Sequence, residues 1–122
     1  MNNVILVGRL TSNPEVVQVE NDKKVTTVLL AVNRNFKNSD GLYDIDFIRC
    51  ILWNSIASTT TEYCKVGDVI GVKGRFQSSK YKEDNGKIRY VTDVVAERVT
   101  FLSTNKKHEE VNEESSNIEK GE

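Results

Sequence analysis

Apolar and polar positions alternate with a period of two through most of the first hundred residues, the signature of β-strands with two unlike faces. The run 46–53 is the most informative. One parity carries Ile48, Cys50 and Leu52 and is purely apolar; the other carries Phe47, Arg49, Ile51 and Trp53, two aromatics with a cation between them. A half-buried strand normally turns polar residues to water, whereas this one turns out rings and an arginine. Two explanations fit the strand alone. It is a central strand buried on both faces with Arg49 snorkelling to solvent, or it is a surface that stacks bases while holding a phosphate chain.

The same pattern places the other elements. Residues 2–11 read as a strand with Val4, Leu6 and Leu10 on one face and Ile5, Val7 and Arg9 on the other. Both faces are largely apolar, so the second needs a cover: a helix, a loop or another subunit. Asn13-Pro14 marks a turn, residues 16–19 a short extension, and Glu20-Asn21-Asp22 another turn. Residues 24–35, rich in β-branched side chains, predict a second long strand. Asp40-Gly41 predicts a hairpin. A two-residue loop there sets Arg34 opposite Phe47 and Phe36 opposite Ile45. That register puts Arg34 and Phe36 on the face of Phe47, Arg49 and Trp53, and Leu29 and Ala31 on the face of Cys50 and Leu52.

Residues 54–64 change period: Ile56, Ala57, Thr60, Tyr63 and Cys64 follow helical spacing, with Asn54 or Ser55 to cap the start and Gly67 to end it. Residues 68–82 predict a strand in which Gly71 and Gly74 allow the bends of a small barrel. Asn85-Gly86 predicts a second two-residue hairpin loop, setting Lys82 opposite Arg89 and Tyr81 opposite Tyr90. Facing cations cost stability; either a phosphate sits between them or solvent screens both. Residues 89–102 form the last strand, with Val91, Val95, Val99 and Phe101 on one face.

Composition narrows the classes. The 122 residues allow one domain with a tail, and 38% hydrophobic content supports one small core. The formal net charge of −1 argues against a simple polycation, but the charge is uneven. Residues 104–122 carry Glu109, Glu110, Glu113, Glu114, Glu119 and Glu122 against Lys106, Lys107 and Lys120, a net of −3, so the first 103 residues carry +2. The expected division is a domain over 1–103 and a disordered acidic tail over 104–122. No apolar run is long enough to span a bilayer, the N-terminus lacks a signal peptide, and two cysteines make no disulfide framework. The expected setting is therefore cytoplasmic. The single histidine, His108, leaves no His/Cys metal constellation, and no metal or other cofactor is expected.

The element order is strand, strand, strand, helix, strand, strand. This is the layout of an OB-fold, an all-β five-stranded barrel with one short helix between strands 3 and 4, which takes oligonucleotides on one face. Motifs then follow one another in a specific order: Met1-Asn2-Asn3-Val4-Ile5-Leu6-Val7-Gly8-Arg9-Leu10, Asn13-Pro14-Glu15, Ala31-Val32-Asn33-Arg34, Asp46-Phe47-Ile48-Arg49-Cys50, Trp53, and Lys65-Val66-Gly67-Asp68. Val72-Lys73-Gly74-Arg75, Tyr81 and Tyr90-Val91-Thr92-Asp93-Val94-Val95-Ala96-Glu97 complete the set. Over residues 1–102 the sequence resembles the bacterial-type single-stranded-DNA-binding proteins. The resemblance implies sequence-independent binding of single-stranded DNA by a homotetramer in replication, recombination and repair, in the nucleoid-associated cytoplasm. It implies base stacking at Phe36, Phe47, Trp53 and Tyr81. Some relatives carry Trp where this chain has Phe or Tyr, which implies weaker stacking. It matches Arg49 and Lys80 to basic positions of the family. With these, Arg34, Lys82 and Arg89 complete the expected phosphate contacts. The tail ends Asn117-Ile118-Glu119-Lys120-Gly121-Glu122, without the Pro-Phe end by which family members dock replication and repair partners. A tail of this kind suits a phage or mobile-element copy.

Two other classes compete. A nuclease needs carboxylates around a metal, and Asp44 with Asp46 supplies two without a third ligand. A primosome or recombination adaptor that works mainly through protein contacts has no use for the aromatic positions, which are kept here. No catalytic residue is expected.

Overall fold

Six strands, one α-helix and a short 3-10 turn at Glu20–Asp22 build residues 1–103, which are those the computed structural model describes. They are β1 (Val4–Leu10), β2 (Val17–Val19), β3 (Lys23–Lys37), β4 (Tyr43–Trp53), α1 (Asn54–Tyr63), β5 (Val69–Lys82) and β6 (Ile88–Ser103). The expected disordered tail lies outside the described residues. The sheet runs β1-β5-β6-β4-β3-β2, and a β1–β3 pairing, Arg9 opposite Ala31 and Leu10 opposite Leu30, closes five of the strands into a barrel. The pairing of β4 with β6 is parallel, Cys50 beside Val94 and Ile51 beside Val95. β2 only extends β3, so α1 falls between the third and fourth barrel strands. The architecture is the OB-fold that the element order predicts.

The interior follows from the period-two pattern. Val28 and Leu30 of β3, Cys50 and Leu52 of β4, Ile70 and Val72 of β5 and Val94 of β6 are all buried together. Each such side chain contributes about 1.5–3 kcal/mol by leaving water. Ala57 of α1 and Cys64 just after it join the same core, so the helix plugs the barrel. Closure demands Gly8: a Cβ there would stand 2.5 Å from the Ala31 carbonyl oxygen, and β1 could not cross β3 so closely.

The sequence misplaces both hairpin loops by one residue, for one reason. Asn38 N–H donates to Leu42 O at 2.7 Å and Gly41 N–H to Asn38 O at 3.0 Å. Glu83 N–H donates to Lys87 O and Gly86 N–H to Glu83 O, both at 2.8 Å. Each loop therefore holds three residues, with glycine last and at positive φ, +80° for Gly41 and +88° for Gly86. A three-residue loop with a left-handed glycine at its end is the common alternative to the two-residue turn. In the β3–β4 hairpin a bulge adds to the slip: Asn33 faces Ile45 and Lys37 faces Tyr43, so Arg34, Asn35 and Phe36 together oppose Asp44 alone. The consequence is a change of parity. Ala31 pairs with Phe47 and Leu29 with Arg49, so Leu29 and Ala31 share the face of Phe47 and not that of Cys50.

The helix ends also differ from expectation. Trp53 occupies the position before the first turn and offers no side-chain cap; Asn54, at φ +53°, instead accepts a hydrogen bond from Lys24 N–H at 3.1 Å. The helix stops at Tyr63, four residues before Gly67, and Cys64 N–H closes it on Thr60 O at 3.0 Å. Gly67 serves the barrel: its N–H donates to Leu10 O at 2.9 Å and its carbonyl accepts from Arg9 Nη1 at 2.8 Å.

Burial, with a smaller contribution from Asp93, pushes the Cys50 thiol up to about 11. Burial and the nearby Asp68 push Cys64 up to about 11 as well. Thiols whose folded value is raised favour the fold below the unfolded value and lose that contribution as pH climbs through the folded one. The expected result is two thiols inert to disulfide reagents at pH 7–8 in the native protein, and stability that declines between about pH 9 and 11. Rapid labelling of the native protein at pH 8 would contradict this burial.

Candidate nucleic-acid interface

The exposed face of β4 is set by what its other face must bury. Because Cys50 and Leu52 point into the barrel, Phe47, Arg49, Ile51 and Trp53 point out, and Phe47 is 59% exposed and Trp53 38%. Neighbouring strands continue this face. On β3 it takes in Leu29 and Ala31. On β6, beside Ile51, it continues through Val95, and the β5–β6 ladder carries it along Arg75–Val95, Gln77–Asp93, Ser79–Val91 and Tyr81–Arg89. Three of the expected rings, Phe47, Trp53 and Tyr81, and three cations, Arg49, Arg75 and Arg89, thus lie on one continuous side of the sheet.

The other expected residues sit elsewhere. Phe36, 64% exposed, lies within the bulge. With Val32, Arg34 and Asp46 it lines a shallow depression of about 520 Å³ against Ile5 and Val7 of β1. Arg34 is not on the face of Phe47: its Nε and Nη2 donate to Asp46 at 2.9–3.2 Å, and Nη1 stands 3.6 Å from Asp44. The Arg34 hydrogen bond holds the Asp46 carboxyl below the usual carboxylate range, and the same bond raises Arg34. The pair therefore persists as pH falls until it drops through that lowered value. Lys82 faces Ile88 and not Arg89, and Lys80 faces Tyr90, both on the side of the hairpin opposite Tyr81. The expected clash of Lys82 with Arg89 does not arise. Arg89 Nε instead meets Glu83 at 2.6 Å.

One partner escaped the sequence. Asp93, whose side chain is only 9% exposed, stands 3.1 Å from Arg49 Nε. The parallel β4–β6 pairing brings the two side by side, and that pairing could have been inferred once the element order suggested a barrel. Several motif residues prove to be stitching. Asn2 bonds Phe76 through both its amide atoms at 2.8 and 2.9 Å, Asn13 Oδ1 accepts from Val66 N–H at 2.7 Å, and Asp68 accepts from Lys65 N–H at 2.9 Å. Among the described residues, no three His, Cys, Asp or Glu side chains gather as a metal site requires, and no helix is long and apolar enough to cross a membrane.

A closed barrel with its helix between the third and fourth strands, and rings alternating with arginines along one outer face, defines an OB-fold protein of the aromatic-faced class. The model of the single-strand binding protein family matches residues 1–102, and the chain belongs to that family. It is 43% identical over 106 residues to single-stranded DNA-binding protein 1 of Lactococcus lactis, covering 87% of this chain and 71% of that protein. To the single-stranded DNA-binding protein of Bacillus cereus it is 47% identical over 102 residues, 84% of this chain and 60% of that one. Single-stranded DNA-binding protein B of Bacillus subtilis is 43% identical over 101 residues, which cover 83% of this chain and 89% of that protein.

Proposed function

We propose that this protein binds single-stranded DNA without regard to base sequence, protecting it during replication, recombination and repair in the cytoplasm, at the nucleoid. The observation that carries this reading is the outer face of the barrel, where Phe47, Trp53 and Tyr81 stand exposed among Arg49 and Arg89. Every base has a flat face for a ring, so stacking is indifferent to sequence, and cations between the rings hold the connecting phosphates. Phe36 adds a fourth ring where the strand leaves the barrel. Lys80 and Lys82 meet phosphates at the hairpin, and Arg34 contributes once a phosphate displaces Asp46. Residues 1–103 form the binding domain and 104–122 an acidic tail. The relatives are named for the same ligand.

The function is binding and not catalysis. Asp44 and Asp46, the carboxylates a nuclease would use, are tied to Arg34. The aromatic face equally favours DNA over the alternative of an adaptor acting mainly on proteins. The test is titration with oligothymidine, a mixed-sequence oligonucleotide and a duplex of equal length. Both single strands are expected to bind alike and the duplex far more weakly; a preference for duplex would contradict the reading.

Assembly follows from β1. Its outward side chains Ile5 and Val7 are 74% and 53% exposed, an apolar strip that the barrel leaves uncovered. Covering it with a second copy gives a symmetric dimer, and two dimers a tetramer. The expected native mass at micromolar concentration is that of four chains, falling on Ile5→Glu substitution. A monomer mass for the unchanged protein would contradict this assembly.

A further inference from the structure

Asp93 is out of place. It is a carboxylate on a face assigned to a polyanion, and its side chain is almost wholly covered. A buried charge is tolerated only when it is compensated. Its compensation is Arg49, 3.1 Å away through Nε. The Asp93 Oδ1 nearest that nitrogen receives no well-directed hydrogen bond, so the contact is one of charge.

Arg49 is the cation between Phe47 and Trp53 on β4, and its side chain is 56% exposed. Its contact with Asp93 uses the nitrogen nearest the backbone. Arg34, by contrast, spends Nε and Nη2 on Asp46 and turns Nη1 to Asp44. The two terminal amines of Arg49 have no hydrogen-bond partner among the described residues. A planar guanidinium held at its inner nitrogen and free at its outer ones is pre-oriented to grip a phosphate with two donors.

We propose that Asp93 is a positioning residue for DNA binding: it fixes Arg49 from the neighbouring strand so that the outer edge of the guanidinium meets a phosphate of the DNA that runs between Phe47 and Trp53. The inference rests on the proposed function and deepens it. It also predicts a sign opposite to simple electrostatics. Removing a negative charge from a polyanion site should tighten binding, whereas removing a positioning residue weakens it, because the freed arginine must be ordered at each binding event.

The test uses the full chain and oligothymidine over a range of salt. Asp93→Asn is expected to weaken binding about tenfold, the loss of one charge-assisted hydrogen bond from Arg49 to phosphate, and to lower the salt slope by about 0.7. Asp93→Asn should add nothing further in an Arg49→Ala background. Arg49→Lys keeps a charge beside Asp93, so the fold is retained, but its ammonium lacks the planar fork that meets the carboxylate at its inner edge and a phosphate with two donors at its outer one. Arg49→Lys is therefore expected to bind as weakly as Arg49→Ala. This variant decides the question even if Asp93→Asn does not fold. Binding by Asp93→Asn that equals or exceeds that of the unchanged protein, or binding by Arg49→Lys close to it, would overturn the proposal while leaving the function standing. No binding by the unchanged protein would overturn both.

Discussion

Replacing Phe47 and Trp53 together with alanine is expected to raise the dissociation constant for single-stranded DNA roughly 30-fold to 10⁴-fold. Each ring stacked on a base is worth about 1–3 kcal/mol, so two contribute about 2–6 kcal/mol, and 1.4 kcal/mol is a factor of ten. Both rings project from the outer face of β4, away from Cys50 and Leu52, so truncation removes little of the core. The barrel should therefore survive, and the loss should appear in affinity and not in folding. Affinity is the measurement, at fixed salt, with the thermal midpoint recorded alongside. An unchanged dissociation constant would remove β4 from the binding surface.

The second large effect concerns the frame that carries Tyr81. A Cβ on Gly74 would lie 2.1 Å from Val95 O, 3.0 Å from Val95 C and 3.1 Å from Ala96 Cα. All three are backbone atoms and cannot swing aside. The approach is this close because β6 bulges at Glu97: Lys73 faces Arg98 but Gly74 already faces Ala96. Gly74→Ala must push two paired strands apart, at a cost of about 1–3 kcal/mol or more, against a total stability of about 5–15 kcal/mol for a domain. A lower thermal midpoint is expected. Affinity should fall as well, because Gly74 stands at the root of the hairpin that ends in Tyr81 and Arg89. A Gly74→Ala protein with an unchanged midpoint would show that the two strands have room to part.

The difference between what these two substitutions touch explains what the sequence could reveal. The outward positions on β4 were legible because burial fixes parity: once Cys50 and Leu52 are inside, Phe47 and Trp53 have only one place to go. The helix and the strand order were legible for the same reason, since periodicity is a local property. Register between strands is not local. Asp-Gly and Asn-Gly announce a turn but not its length, and one extra residue in each loop moved Lys82 away from Arg89 and put Ala31 on the face of Phe47. The bulge at Arg34, Asn35 and Phe36 has no glycine to betray it, and the Arg34 that lies in it is held by Asp46. Asp93 was hidden for a further reason. Its partner is 44 residues away in sequence and meets it only through the parallel pairing of β4 with β6.

Trp53 is the only tryptophan in the chain, so its emission reports on a single point of the proposed surface. In the titration with oligothymidine its fluorescence is expected to be quenched in step with binding, saturating at a fixed stoichiometry, and to change little with duplex of the same length. Emission that stays constant while oligothymidine binds would show that bases do not stack on the outer face of β4, and no binding at all would contradict the account as a whole.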